Sequence, residues 1–433
     1  MLKLSPEQAE DAQKMADNPD LPNFSLPGTG KTHTALEAIK LFGAKRNVIV
    51  APPIALHWWE EQAREYLGAD ARIVKTGSSP LVGDITIMSY GIMRNARERI
   101  YETFDGGSLT LDESHNVCNI DAKQTQAVFG NQMDLAGGIA ERFDTVWNMT
   151  GTPKMNHAND YYTQAAILHP EPFARRDIHN YKDFCTRFTY SQERQYNPRM
   201  RPVWKIVGSQ NEGLLGRIVY EDIKAIRRKT ASSLPKLRER TLEVPVTLPK
   251  EIRTTLKNMG HAEILMRINL KGGIIAEAWR LIGLGKVKHV VPYVGDSVKD
   301  SPVLLGCWHH EVMDAYVEAF TEMGLRVEKV AGDVSAKMKE NIRRAFNDGF
   351  IDVLVGQMKS MGVAWNLQEA ANHVVIAEVH PSPAIIDQFY KRVYRRGQTQ
   401  DCIVDKVLGE GMVVDEALDG VRERKEVSDR KIG

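Results

Sequence analysis

The sequence predicts an α/β protein of two lobes, each a parallel sheet flanked by helices, with helical insertions between them. Three observations carry this expectation. The chain has 433 residues, too many for a single compact core. In its first third, short apolar runs rich in β-branched residues alternate with helical patterns, and the alternation returns near Asp300, which is the signature of parallel sheets covered on both faces. Between these regions the chain reads as mainly helical, rich in aromatic residues and cations.

The strand candidates of the first lobe are Asn47–Ala51, Ile85–Met88 and Ser108–Asp112, with helices over Thr34–Phe42 and Ala55–Leu67. In the second lobe they are Val303–Gly306, Arg326–Val330, Val353–Val355 and His373–Ala377, and a further strand is expected at Thr241–Leu248. The expected division is a first lobe over 1–158, a basic helical insertion over 159–240, and a strand and helices over 241–299. A second lobe over 300–410 and a C-terminal tail over 411–433, whose charged stretch Val421–Glu426 is expected to fray, complete it.

Hydrophobic residues make up 42% and charged residues 26%, the balance of an ordinary soluble globular protein. No apolar run approaches the roughly 20 residues that span a bilayer, and the N-terminus lacks the apolar core of a signal peptide. The expectation is an intracellular, cytoplasmic protein with no membrane partner. The four cysteines, Cys118, Cys185, Cys307 and Cys402, are far apart without metal-ligand spacing, which favours reduced thiols. Net charge is only +1, yet Phe173–Arg240 holds 16 Lys or Arg against 7 Asp or Glu. A basic surface confined to one segment can neutralise phosphates, although a solvated helical face would look the same.

Ser25-Leu26-Pro27-Gly28-Thr29-Gly30-Lys31-Thr32 is the strongest local signal. Gly28 and Gly30 let the backbone wrap so that amide N–H groups converge on a phosphate, and the helix that follows adds its positive end. Lys31 is expected to reach the β- and γ-phosphates and the Thr32 hydroxyl to hold magnesium. Ser25 replaces the first glycine of the usual pattern. Upstream, Gln8 is a candidate for placing its amide against adenine.

Asp112-Glu113 follows an apolar strand, at the carboxyl end where open α/β sheets bind ligands. Asp112 is the candidate Mg²⁺ ligand and Glu113 the candidate general base that orients and deprotonates an attacking water. Thr150-Gly151-Thr152-Pro153 follows another apolar segment. Its small hydroxyl residues are candidates for linking the carboxylates to the second lobe, though an ordinary turn would read alike.

In this order the motifs resemble those of the superfamily-two helicases, specifically the Swi/Snf-type ATPases, and within them the annealing-helicase, fork-remodelling branch. The marks are Asp112-Glu113-Ser114-His115 with Asn119, then Thr150-Gly151-Thr152-Pro153 with Asn156. Leu304–His310, Ala331-Gly332-Asp333, Phe346-Asn347, Gln388, Arg392, Arg395 and Gly397-Gln398 continue the series. The resemblance runs from about Leu4 to Val407. Departures are Cys118 in place of the usual lysine, Ala364 in place of a glycine and Pro381 in place of a tryptophan.

The resemblance implies two RecA-like P-loop lobes, with ATP and Mg²⁺ as cofactors and duplex or forked DNA as partner. It implies that Arg392 and Arg395 act as arginine fingers, with Gln388 in a coupling role. The spacing of these three residues would put them on one helical face. Pro52, Pro53, Ser89, Tyr90 and Asn366 are implied to mark loops that track a nucleic-acid backbone, and Arg227-Arg228-Lys229 matches a further family landmark. The implied function is an ATP-driven DNA translocase that remodels forks, migrates branches or anneals strands. Two alternatives stay open: a strand-separating helicase on DNA or RNA, and a scaffold that uses nucleotide only as a switch. A chain that is nearly all motor also hints at a phage or mobile-element source.

Overall fold

The computed structural model describes residues 4–131, 137–194, 203–228, 234–268, 273–361, 365–395 and 397–421. The chain divides into two compact units, one built from residues up to 230 and the other from 231 to 427. Both rest on parallel sheets, as the alternation of apolar runs and helices predicts.

The first unit holds β1 (Asn47–Ala51), β2 (Ala71–Ile73), β3 (Ile85–Ser89), β4 (Ser108–Asp112) and β5 (Thr145–Met149), in the order β2-β3-β1-β4-β5. Every pairing is parallel. Val48 through Ala51 are fully buried, which is why β1 reads as an unbroken apolar run with helices on both faces. Ala51 pairs with Ser89, Val50 with Leu111 and Asp112 with Met149. The carboxyl ends of β3, β1, β4 and β5 therefore finish level, which brings Pro52, Ser89, Asp112 and Thr150 to one edge.

Three helices build that edge. The first, α1 (Pro6–Asp17), starts in a capping box in which Gln8 N donates to Ser5 Oγ and Ser5 N donates to Gln8 Oε1, satisfying two end donors. The second, α2 (Lys31–Phe42), begins directly after the glycine turn with no side-chain cap. The third, α3 (Leu56–Leu67), follows the Pro52-Pro53 turn after β1.

Beyond β5 the chain forms a second core around Phe24, Tyr161, Tyr162, Phe173, Phe184 and Phe188, with Tyr162 and Phe184 edge-on at 5.5 Å. This basic segment is not wholly helical. Strands β6 (Thr189–Arg194) and β7 (Val203–Ser209) pair antiparallel within it.

The second unit holds β8 (Leu237–Val244), β9 (Val303–Cys307), β10 (Val327–Val330), β11 (Val353–Gln357), β12 (His373–Ile376) and β13 (Cys402–Gly409), ordered β10-β11-β9-β12-β13-β8 and all parallel. The strand expected at Thr241–Leu248 begins four residues earlier, and this unit's sheet takes in residues well before Asp300. As the sheet's edge, β8 carries Arg238, Glu239 and Arg240 on a largely exposed strand, so its apolar signal is weak. A 24-residue helix, Ile274–Ser297, crosses the sheet. Its buried Lys286 donates to the Ala377 and Val407 carbonyls and pairs with the buried Asp415 at 2.6 Å. Among the described residues no helix is long and apolar enough to cross a membrane.

Candidate active site

The turn between Phe24 and α2 has Gly28 at φ 87° and Gly30 at φ 85°, left-handed values that favour glycine. A Cβ on Gly30 would lie 2.0 Å from Gln8 Nε2. Lys31 Nζ donates to the Ser25 carbonyl at 2.8 Å and the Leu26 carbonyl at 3.3 Å. The loop is a concave run of backbone at the open, positive end of α2, suited to an anion.

Gln8 meets this loop through its carbonyls: Nε2 lies 3.4 Å from both Thr29 O and Gly30 O. It is 4% exposed and its Oε1 serves the capping box, so here the carboxamide braces the loop. Ser25 is also engaged. Its hydroxyl accepts from Arg228 N at 3.0 Å, while Leu26 N donates to Arg228 O at 3.0 Å. The serine in place of glycine thus gives the loop a lateral anchor.

Asp112 closes β4, and Glu113 after it takes φ 51°, ψ 51°, an uncommon backbone state for a side chain with a Cβ. Burial and the adjacent Glu113 raise the Asp112 carboxyl above its ordinary range, while the Trp59 hydrogen bond and Lys31 act in the opposite sense. Asp112 Oδ2 accepts from Trp59 Nε1 at 2.8 Å. Glu113 Oε2 is buried without a hydrogen bond in the structure, 3.4 Å from His115 Nδ1. The same imidazole nitrogen lies 2.9 Å from Thr150 Oγ1 and 3.3 Å from Thr152 Oγ1. Gly151 is pressed against Pro27, where a Cβ would come within 2.4 Å of Cδ. The phosphate-type loop, the paired acids and the Thr150-Gly151-Thr152 turn form one continuous cluster in the first unit.

Of the residues expected to track nucleic acid, Pro52, Pro53, Ser89 and Tyr90 lie at the carboxyl ends of the neighbouring strands β1 and β3. Pro53 is exposed and Pro52 buried. Ser89 caps the helix Tyr90–Asn95 by accepting from Ile92 N. Tyr90 is 6% exposed and donates its hydroxyl to the Asp112 carbonyl at 2.7 Å. Arg227 lies over the Tyr220 ring at 5.2 Å. The Arg228 guanidinium is held by Asp11 at 2.7 Å and Glu10 at 2.8 Å, which gives it a structural task beside the loop. Lys229 lies outside the described residues.

In the second unit, Gln388 is in the helix Pro383–Tyr390, but Arg392 and Arg395 lie in the turns after it. The single helical face inferred from their spacing is therefore corrected. The Arg392 carbonyl accepts from Leu367 N instead of continuing the helix. Arg392 Nε returns to Gln388 O at 2.8 Å and Arg395 donates to Trp365 O at 3.2 Å. Burial and the charge of Arg392 both weaken Arg395's hold on its proton. Asn366 is half-buried, and its carbonyl accepts from Asn347. Trp59 is a functional candidate that the motifs did not single out. It lies 53 residues from Asp112, so no local pattern reveals their contact.

The fold and site define a two-unit α/β protein with a glycine loop and an acidic pair at one sheet edge. Residues 285–397 match the helicase conserved C-terminal domain. Over 92% of its length the chain is 23% identical to the human DNA annealing helicase and endonuclease ZRANB3, covering 37% of that protein. It is 22% identical over 92% of its length to the Xenopus tropicalis SWI/SNF-related matrix-associated actin-dependent regulator of chromatin subfamily A-like protein 1, covering 42% of that one. A Sulfolobus solfataricus SWI2/SNF2 ATPase core in complex with dsDNA aligns with 94% of this chain and 88% of its own, at TM-score 0.45 and 17% identity. The chain spans about two-fifths of the length of these animal relatives. None of the three is a phage protein, so the phage source inferred from compactness has no support from them.

Proposed function

We propose that this chain is a DNA-dependent ATPase that drives translocation on duplex or branched DNA inside the cell, in the manner of the annealing-helicase branch. The observation that carries this reading is the continuous cluster from Pro27 through Gly151, Thr150 and His115 to Glu113. A loop shaped for phosphate, an acid placed to activate water and a turn touching both are what phosphoryl transfer to water requires.

In this proposal the loop amides and Lys31 bind the ATP phosphates, and Glu113 takes the proton of the attacking water. The left-handed backbone at Glu113 turns its carboxylate away from the strand, and His115 holds it next to the Thr150-Gly151-Thr152 turn. The acid chemistry at the edge fits a bound cation, since Asp112 is disfavoured as an anion by burial and by Glu113. Thr32 and Asp112 would hold Mg²⁺, which when bound supplies charge neutralisation on the phosphates. Arg392 and Arg395 remain candidates for arginine fingers, with Gln388 in support. Pro53, Arg227 and Asn366 remain candidates for backbone contacts, and such contacts make a motor largely indifferent to base sequence.

ATP hydrolysis measured with no nucleic acid, single strands, duplex and forked DNA tests the reading. Stimulation mainly by duplex or forked DNA is expected. Stimulation by single strands alone would replace it with a strand-separating helicase, and no turnover under any condition would replace it with a nucleotide-binding scaffold.

A further inference from the structure

Two buried aromatic side chains from different elements converge on Asp112. Trp59, fully buried on α3, donates its indole N–H to Asp112 Oδ2 at 2.8 Å. Tyr90, at the start of the helix Tyr90–Asn95, donates its hydroxyl to the Asp112 carbonyl at 2.7 Å. One bond fixes the carboxylate and the other the backbone from which it projects, so together they restrain position and orientation.

The placement of the two donors matters. The α3 helix begins just after Pro52-Pro53 at the carboxyl end of β1, and Tyr90 directly follows Ser89 at the carboxyl end of β3. These strands lie side by side with β4 beyond them, and their ends are level. The helices that follow two neighbouring strand ends are thus each joined by one partly buried hydrogen bond to a single acid.

We propose that Trp59 and Tyr90 are positioning residues for Asp112, transmitting displacement of the β1 and β3 loops to the magnesium-binding carboxylate. The proposal rests on the DNA-dependent ATPase reading above. It explains why Tyr90, which the family resemblance assigns to the nucleic acid, is almost wholly buried: its part is to relay contact made by the loop. Rigid aromatic rings suit this, because a shift at one end of a packed side chain is carried to the other instead of being absorbed.

Trp59→Phe removes the N–H while keeping an aromatic ring, and Tyr90→Phe removes only the hydroxyl. A hydrogen bond to a charged group is strong enough that its loss is expected to lower duplex stimulation of ATP hydrolysis by about 10-fold or more in Trp59→Phe. Tyr90→Phe, which loses a neutral bond, is expected to lower it by about 3- to 10-fold. Affinity for a labelled duplex, read by fluorescence anisotropy, is expected to stay within about twofold, because neither side chain meets DNA. A second readout needs no turnover: the gain in affinity for a fluorescent ATP analogue on replacing EDTA with Mg²⁺ should shrink in both variants. Unchanged stimulation and an unchanged Mg²⁺ gain in both variants would overturn the proposal, as would duplex affinity falling in step with stimulation. If Trp59→Phe fails to fold, Tyr90→Phe decides. A wild-type protein that no DNA stimulates fails the motor reading, and the Mg²⁺ gain still decides this one.

Discussion

Gly151→Ala tests the site's architecture most sharply, because the added methyl has no room. A Cβ there would lie 2.4 Å from Pro27 Cδ, 2.8 Å from Cγ and 3.0 Å from the Pro27 nitrogen. Ordinary contact begins at 3.4 Å, so the Thr150-Gly151-Thr152 turn and the loop must separate by about 1 Å. Neither side yields easily. Pro27 is a rigid ring on the glycine loop, and Thr150 and Thr152 are tied to His115. Misplacement by about 1 Å around reacting groups costs on the order of 100-fold in rate, and overpacking costs roughly 1–3 kcal/mol in stability. Steady-state ATP hydrolysis at saturating duplex should show kcat lowered by about 100-fold, with the melting temperature of the first unit down by only several degrees, on the order of 5 °C. A kcat within about twofold of wild type, in a protein that melts normally, would refute contact between turn and loop as a working part of the site.

Glu113→Gln should retain ATP binding while kcat falls by about 10²–10⁴; turnover near the wild-type rate would remove Glu113 as the base. Asp415→Ala leaves the buried Lys286 ammonium without its carboxylate, which costs about 3–5 kcal/mol. Calorimetry should show the second unit melting on the order of 10 °C lower, and a shift under about 2 °C would mean that the pair contributes little. Asp405 is held down to about 2 against the desolvation that opposes it, by His373, Arg240 and Tyr293. A depressed carboxyl stabilises the fold above its unfolded pKa and loses that contribution as pH falls through the folded value, here on the order of 2 kcal/mol between about pH 4 and pH 2. Melting temperatures across that range should fall more steeply in wild type than in Asp405→Asn, and parallel curves would contradict the assignment.

How much of this was legible in the sequence depends on whether the signal is local. Strand β1 falls where its unbroken apolar run places it, since a strand buried on both faces needs nothing else, and β4 falls at Ser108–Asp112 as expected. The glycine turn, Lys31 and the Asp112-Glu113 pair are each local patterns that a short window of sequence contains. Strand β13 escaped notice because Asp405 and Lys406 interrupt its apolar run. Asp405 is nonetheless fully buried, and its partners Arg240, Tyr293 and His373 come from three other elements. No window along the chain contains that compensation. Trp59 and Asp112 are likewise 53 residues apart, and Arg228 meets Asp11 across 217. The spacing of Gln388, Arg392 and Arg395 suggested one helix, but Leu367 takes the carbonyl that the helix would have used.

Displacement of the third strand from a DNA triplex tests motion along a duplex most directly, because it requires travel without separation of the underlying strands. With ATP, the wild-type chain should release the third strand at a rate that Glu113→Gln abolishes. ATP hydrolysis that duplex stimulates fully while the triplex stays intact would contradict translocation.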